Sequence, residues 1–438
     1  MKKSQFIIDY ESKNGKYYML HTQSGNIVSI DREKKFKLYE ILNNLDKNKK
    51  HKAVDVLANL GFVVPKSKDE YQLATGDKVI KDIKNNYLDL IIMPTEKCNF
   101  RCVYCYENFE KPKMSKEVQN AIIQFVNKEL PRHKGLSVGW FGGEPLLATD
   151  VVASLSEAFI ELCKKHKKPY RASMTTNGYL LNLETFKKML HYKINHFQIT
   201  IDGDKSIHDT QRILVNKKGT FDTIINNLNE IKNNSQSKLW TISLRTNVTT
   251  NVIKNIDQFK KDIISNFSND SRFYIMLRQM WTNNTDEADS IVCTTESFEN
   301  FVENCNIGYQ SLYQEYSFSN NSNFTCYASN PNSLVIGSDG MLYKCTYALY
   351  DDINKVGKIE VGGKVILDYD KFSFWIAPKA SNHEECQSCS NYAACLSRGC
   401  PYKQKQVCNQ ETFEFIKCYI PQFYHIANKK EDISSFIN

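Results

Sequence analysis

The sequence predicts an α/β fold: a partial barrel of six strand-and-helix units, a (β/α)6 arrangement, flanked by two smaller regions. Three observations carry this. From Leu88 to about Gly308, strand-like apolar runs alternate with segments of helical period. Such alternation predicts a mainly parallel sheet with helices packed on it. The residues before it hold short strand-like runs broken by turn signals, and the residues after it are dense in cysteine. Of 14 cysteines, 8 lie in Cys326–Cys418. The expected organisation is therefore a unit over 1–75, a linker over 76–87, a barrel over 88–318 and a cysteine-rich domain over 319–438. Three folded units suit 438 residues at roughly 150 per domain.

In the first unit, Phe6–Tyr10 and Lys16–Leu20 flank a turn at Asn14-Gly15, and Asn26–Ile30 follows a turn at Ser24-Gly25. Asp31 is placed to cap a helix with Leu38, Ile41, Leu42 and Leu45 on its apolar face. A second helix carries Ala53, Val56, Leu57 and Leu60 and stops at Gly61. The run Phe62-Val63-Val64 then ends at Pro65. A small sheet followed by short helices resembles a winged helix; a packing extension of the next domain is the plainer alternative. Residues 66–86 are polar and charged, which reads as a linker.

The barrel strands are expected at Leu88–Met93, Leu136–Phe141, Ala172–Thr176, His196–Ile201, Ile242–Val248 and Phe273–Leu277. Helical patterns fall between them, for example Ser115–Glu129 and Val151–His166. In such a fold the active loops follow the strand C-termini.

Composition narrows the function. Hydrophobic residues are 41% and charged residues 24%, which excludes a wholly disordered chain. No stretch approaches the roughly 20 apolar residues of a membrane helix. The start, MKKSQFIIDYES, is interrupted at once by Asp9 and Glu11, so it is no signal peptide and a cytoplasmic protein is expected. The excess of 57 basic over 49 acidic residues, +8, is scattered. That fits a solvated surface better than nucleic-acid binding. It would also suit an acidic substrate. Cytoplasmic cysteines at this density point to metal binding or catalysis rather than disulfides.

Directly after the first strand comes EKCNFRCVYCYEN. Cys98, Cys102 and Cys105 are separated by three and then two residues. A structural zinc site needs four ligands, usually as two pairs, whereas this loop offers three. Three thiolates suit a [4Fe–4S] cluster with one iron left open for a small molecule. At the end of the second strand lies WFGGEP (Trp140–Pro145). Gly142 and Gly143 allow close backbone approach, and Glu144 can accept from an ammonium. The third strand ends in TTNG (Thr175–Gly178). The fourth ends in IDG (Ile201–Gly203) and leads to His208 and Arg212.

This pattern, with aromatic Tyr104 before the third cysteine, resembles the radical S-adenosylmethionine (SAM) enzymes. The resemblance implies that SAM chelates the open iron and that one electron splits it to methionine and a 5′-deoxyadenosyl radical. That radical then abstracts a substrate hydrogen. It further implies that Gly142, Gly143 and Glu144 hold the methionine amino group and that Tyr104 lies near the adenine. By the same resemblance, Thr176, Asn177 and Asp202 are expected to contact SAM or the substrate, and Arg245 to pair with the SAM carboxylate. Turn formation, packing and barrel filling are the structural alternatives for these residues.

Towards the C-terminus, Cys326 and Cys345 bracket Gly340, and Cys386, Cys389, Cys395, Cys400, Cys408 and Cys418 follow. This is similar to the SPASM domain, which carries up to two auxiliary [4Fe–4S] clusters. It departs at one place: four residues separate Cys395 from Cys400, where the family has three. By resemblance, Cys326, Cys345 and Cys400 hold the first auxiliary cluster, with Cys305, Cys408 or an open iron completing it. Cys386, Cys389, Cys395 and Cys418 hold the second, with Cys408 a possible replacement for Cys418. Taken alone, Cys386 and Cys389 with two later cysteines would make a structural zinc site. Cys163 and Cys293 read as buried thiols.

Radical SAM enzymes with SPASM domains mainly modify peptides. The resemblance therefore implies a maturase of a ribosomally made precursor peptide whose leader adds a strand to the N-terminal sheet. The implied product is a thioether crosslink, as in sactipeptides, and a flavodoxin- or ferredoxin-type protein is the implied electron donor. A carbon–carbon crosslink is an alternative, as is formylglycine formation by an anaerobic sulfatase-maturating enzyme. The sulfatase reading expects an aspartate just after the second SPASM cysteine, where this chain has Thr346, and it expects no N-terminal extension. From another class, a zinc-stabilised, non-enzymatic binding module is the rival.

Overall fold

The computed structural model describes the chain except residues 85, 236, 238, 281–289, 320–325, 378–383, 396–399, 403–415, 428 and 438; for 78, 79, 81, 82, 317–319 and 384 it describes the backbone alone. The chain divides into two compact units that are not contiguous in sequence. The first comprises 1–84, 302–326 and 378–438; the second comprises 85–301 and 327–377. The region 319–438 is thus shared between them.

The second unit is built on one ten-stranded sheet. Its six parallel strands lie side by side in chain order: Tyr87–Ile92, Gly135–Trp140, Tyr170–Thr176, Ile194–Thr200, Thr241–Val248 and Phe273–Gln279. Beyond the first, Ser333–Ile336 adds a seventh in parallel register, Ser333 opposite Asp89 and Ile336 opposite Ile92. Met341–Tyr343, Lys355–Glu360 and Lys364–Leu367 then extend the sheet as an antiparallel meander. The sheet has two ends, which suits a barrel that does not close.

Side chains explain the layering. Along the first strand Leu88, Leu90 and Ile92 are buried, while Tyr87, Asp89 and Ile91 are partly exposed. The same alternation runs through Val138 and Trp140, Met174 and Thr176, Phe197 and Ile199. One face packs apolar side chains, and the other presents polar residues such as Arg171, Gln198, Arg245, Asn247 and Arg278. A parallel sheet buried on both faces would read as unbroken apolar runs; this one keeps a polar inner surface. Between the strands, helices Lys116–Glu129 and Thr149–Lys165 bury Ile122, Phe125, Val152, Leu155 and Phe159. Ser115 caps the first, its side chain accepting from the Val118 amide.

The first unit holds a four-stranded sheet. Strands Ile7–Glu11, Lys16–His21 and Ile27–Asp31 are antiparallel neighbours, and Lys430–Asp432 pairs in parallel with Ile27–Asp31. Gly15 and Gly25, at φ +82° and +73°, make the two turns. Helices Lys35–Asn43 and Lys52–Asn59 cover one face, burying Leu38, Ile41, Leu42, Ala53 and Leu57 with Ile433 and Ile437. Two expectations change. Asp31 makes no side-chain cap; its carboxylate instead accepts from Lys16 Nζ at 2.8 Å, and its amide donates to Ser434 Oγ. The stretch read as a linker contains a helix, Glu70–Lys84. Its Tyr71 and Ala74 pack with Phe6, Cys386 and Tyr392, so few apolar positions suffice to dock it. No helix among the described residues is long and apolar enough to cross a membrane.

Candidate active site

The cysteine loop leaves the first parallel strand at its C-terminal end. A short strand, Phe100–Cys102, pins it by antiparallel pairing with Arg212–Leu214, which sets Cys102 opposite Arg212. The Cys105 amide donates to the Cys102 carbonyl at 3.0 Å, closing a turn that holds the last two cysteines together. Burial pushes the Cys98 and Cys105 thiols up to about 12 and raises Cys102 as well. The Cys98 thiol also feels the charges of Glu144, Cys102 and Cys105, so the three cysteines share one local field. Two donors approach Cys98 Sγ: the Phe100 amide at 3.4 Å and Asn177 Nδ2 at 3.9 Å.

The second parallel strand delivers Gly142, Gly143 and Glu144 against this loop. Gly143 N donates to Thr95 O and Glu144 N to Lys97 O, at 3.2 and 2.9 Å. A Cβ on Gly142 (φ +108°) would meet Thr95 O at 2.4 Å, and one on Gly143 would meet Glu96 O at 2.3 Å. The backbone that these glycines admit is therefore the cysteine loop's own. Glu144 is fully buried, and its carboxylate accepts from Leu146 N (3.0 Å), Thr176 Oγ1 (2.8 Å) and Asn177 N (2.7 Å). Three of roughly four acceptor positions are occupied. Burial raises its pKa against the pull of these donors. Glu144 thus ties the ends of the second and third strands together beneath Cys98.

The fourth and fifth strands supply a second network, centred on Tyr104. Its hydroxyl donates to Asp202 and accepts from Arg212 Nη1 at 2.7 Å and Asn247 Nδ2 at 3.1 Å. Asn247 N donates to the other Asp202 oxygen at 3.0 Å, and Arg245 Nε donates to Asn247 Oδ1 at 3.1 Å. Burial raises the Asp202 pKa, with Arg212 opposing. Burial, then the neighbouring charge of Arg278, lowers that of Arg245. For Arg212, burial works against the charge, but Cys102, Tyr104 and Asp202 outweigh it and keep the guanidinium protonated. His208 is buried and held well below its usual pKa by burial and Arg212. Its Nδ1 accepts from Asp202 N, which leaves Nε2 to donate to Thr220 Oγ1.

Residues 92–260 match the model of the radical SAM superfamily. The chain carries a radical SAM domain. A cysteine-type anaerobic sulfatase-maturating enzyme of Clostridium novyi is 26% identical over 341 residues, covering 72% of this chain and 87% of the relative. A GTP 3′,8-cyclase of Campylobacter jejuni subsp. doylei is 27% identical over 169 residues, 37% of this chain and 49% of that enzyme. Among solved structures, native anSMEcpe with bound AdoMet and Cp18Cys peptide superposes with a TM-score of 0.58 at 20% identity. The match covers 78% of this chain and 98% of that one, and it shows a shared fold. The chain is an enzyme of radical SAM type, which removes the non-enzymatic zinc module as a reading. The superfamily implies a [4Fe–4S] cluster and SAM.

The radical SAM site fits that pair of cofactors. Three cysteine thiols, none in a disulfide, lie in one loop, and Cys98 feels the charges of the other two. Beside them two buried polar atoms, Glu107 Oε2 and Arg212 Nε, have no protein partner and would be costly without a polar ligand. Among the described residues no three His, Cys, Asp or Glu side chains converge to hold a single metal ion. A cubane differs in that each thiolate takes a separate iron. The residues predicted from sequence fall into two networks here: Cys98, Glu144, Thr176 and Asn177 share one, Tyr104 and Asp202 the other, and Gly143 bonds the cysteine loop at Thr95. Sequence reasoning missed Asn99, whose Oδ1 accepts from Asn177 Nδ2 at 2.8 Å, as well as Asn247 and the part played by Arg212. Asn247 carries a readable signal, since it lies two residues beyond Arg245 and so shares its inward face.

The other cysteines are distributed over both units. Cys386 and Cys389 belong to helix Glu384–Ser388 and the turn after it, and Cys395 ends helix Tyr392–Cys395. Cys418 precedes helix Ile420–Ile426 and is fully buried. These four belong to the first unit, as do Cys326, Cys305 and Cys400, whereas Cys345 belongs to the second. Cys389 feels the charge of Cys386, although burial dominates its raised pKa. Gly340, at φ +79°, turns the hairpin that leads to Cys345. Cys408 lies outside the described residues. Cys163 and Cys293 are buried, and Cys293 Sγ donates to Val248 O.

Proposed function

We propose that this enzyme is a peptide maturase that forms a thioether between a cysteine sulfur and a carbon of a ribosomally made precursor. The observation that carries the reading is the locking of the cysteine loop by the GGE loop and the Tyr104 network in a radical SAM domain. In this reading Cys98, Cys102 and Cys105 hold the [4Fe–4S] cluster. When bound, the cluster supplies the electron that splits SAM into methionine and a 5′-deoxyadenosyl radical. Gly142, Gly143 and Glu144 shape the methionine end of the SAM site. Tyr104, Thr176, Asn177 and Asp202 border it, and Arg245 meets a carboxylate. The inner face of the sheet keeps the substrate carbon close and water out. The peptide loses one hydrogen to the nucleoside and one proton from its thiol. The surplus electron returns to a flavodoxin- or ferredoxin-type partner.

One or two auxiliary clusters belong to the reading: the first on Cys326, Cys345 and Cys400, completed by Cys305, Cys408 or an open iron, and the second on Cys386, Cys389, Cys395 and Cys418. The first unit's sheet suits a leader peptide added as a strand. The edge beside Ile27–Asp31 is taken by Lys430–Asp432, so addition would fall on Ile7–Glu11 at the other end. A cytoplasmic setting accords with this chemistry.

Formylglycine formation is the second reading, favoured by the similarity to a sulfatase-maturating enzyme over 87% of its length. Against it, Thr346 stands after Cys345, its hydroxyl and amide both bonded to Tyr327 Oη at 2.8 Å. Mass spectrometry of a candidate cysteine-containing precursor after anaerobic turnover separates the two. A loss of two hydrogens together with one alkylatable thiol supports the thioether. An aldehyde trapped by a hydrazide, with the sulfur gone, overturns it.

A further inference from the structure

Three thiolates gathered in one partly buried loop are costly without compensating charge, and Cys98, Cys102 and Cys105 are all only partly exposed. The acidic neighbours deepen the problem. Glu144 is fully buried and accepts from Asn177, whose Nδ2 reaches Cys98 Sγ at 3.9 Å, and Asp202 is fully buried against Tyr104. A cluster held here would carry net negative charge, and reducing it would add more. The cation set against this loop by the strand pairing is Arg212, opposite Cys102.

The fold gives Arg212 little freedom to be anywhere else. It faces Cys102 across the Phe100–Cys102 and Arg212–Leu214 ladder, and directly opposed residues in an antiparallel pair project from the same face. Its side chain is 7% exposed. Nη1 donates to Tyr104 Oη at 2.7 Å, and the guanidinium lies 5.7 Å from the Phe100 ring centroid. Its Nε has no protein partner. The Arg212 carbonyl accepts from Thr220 Oγ1 at 2.6 Å, which fixes the start of the strand.

We propose that Arg212 is a positioning residue for the cluster on Cys98, Cys102 and Cys105, and that its fixed positive charge raises the reduction potential of that cluster. The inference rests on the assignment of those cysteines as cluster ligands. A cation at a set distance in a poorly screened site favours the state with more negative charge. The reduced cluster is therefore stabilised more than the oxidised one. Tyr104 passes the constraint to Asp202 and so keeps the guanidinium directed at the loop.

The test uses the full chain reconstituted anaerobically, with Arg212→Gln, Arg212→Lys and Tyr104→Phe. Iron content and the midpoint of the EPR signal that changes on adding SAM are the readouts. Gln retains a donor to Tyr104 but loses the charge; Lys retains the charge. The proposal expects a lower midpoint in R212Q, a midpoint near wild type in R212K, and a smaller lowering in Tyr104→Phe, which keeps the charge but frees the guanidinium. Loss of the cluster in R212Q that R212K restores has the same meaning. An unchanged midpoint in R212Q overturns the proposal. So does equal damage by Lys and Gln, or a Tyr104→Phe shift as large as that of R212Q. A wild-type protein with no SAM-responsive signal would instead refute the ligand assignment itself.

Discussion

Replacing Gly143 by alanine tests how the site is assembled. The added Cβ would stand 2.3 Å from Glu96 O and 2.5 Å from Lys97 O, about 1 Å short of ordinary contact. Both obstacles are backbone, so no side chain can swing aside. The loop leading to Cys98 must move, and the amide bonds Gly143 N to Thr95 O and Glu144 N to Lys97 O go with it. Overpacking costs roughly 1–3 kcal/mol, and two lost backbone bonds add about 1 kcal/mol each. A total near 4 kcal/mol reduces the population of the closed loop by roughly 10³-fold. Gly139→Ala on the same strand is the control, because its Cβ would meet only side-chain atoms at 3.6 and 3.8 Å. Iron bound after anaerobic reconstitution, and SAM affinity by equilibrium dialysis, report the outcome. Gly139→Ala should match wild type and Gly143→Ala should lose both. Full iron and SAM binding in Gly143→Ala would refute the reasoning.

Two further outcomes concern the first unit. His21 is 5% exposed, and burial, aided by Lys68, lowers its pKa from 6.5 to about 4. The folded value lies below the unfolded one. Its contribution is therefore complete above about pH 6.5 and is lost as pH falls towards 4, by roughly 3 kcal/mol. Urea melts of wild type and His21→Gln should converge over that window by about this amount; parallel pH profiles would count against it. Ile433→Ala removes a fully buried side chain from the core beneath Ile27–Asp31 and should cost about 2–5 kcal/mol. Amide exchange in Ile27–Asp31 should accelerate accordingly, and unchanged protection there would contradict the packing.

The six parallel strands were legible because each carries one apolar face against helices, and each lies within two residues of its expected bounds. The cysteine loop, the glycines, Glu144, Thr176, Asn177 and Asp202 were legible because strand ends of this fold converge. The features that escaped depend on contacts distant in sequence. Ser333–Ile336 joins the sheet beside the first strand, and no local signal marks so remote a partner, since consecutive elements are the usual neighbours. Lys430–Asp432 is short, charged and exposed; it forms a strand because Ile433 and Ile437 anchor the chain immediately after it in the core. Helix Glu70–Lys84 leaves Leu73, Ile80 and Ile83 exposed, so its apolar positions do not mark one buried face. Gly142 and Gly143 were read as sites of close approach, and within the protein the backbone they admit is that of Thr95–Lys97. Arg212 reads as one arginine among many until the register sets it against Cys102.

In the proposed function SAM is split at a cluster held by Cys98, Cys102 and Cys105. Anaerobically reconstituted enzyme, given SAM and a strong reductant, should release methionine and 5′-deoxyadenosine in equal amounts. The variant with all three cysteines replaced by alanine, its later cysteines intact, should release neither. Undiminished 5′-deoxyadenosine from that variant would contradict the account.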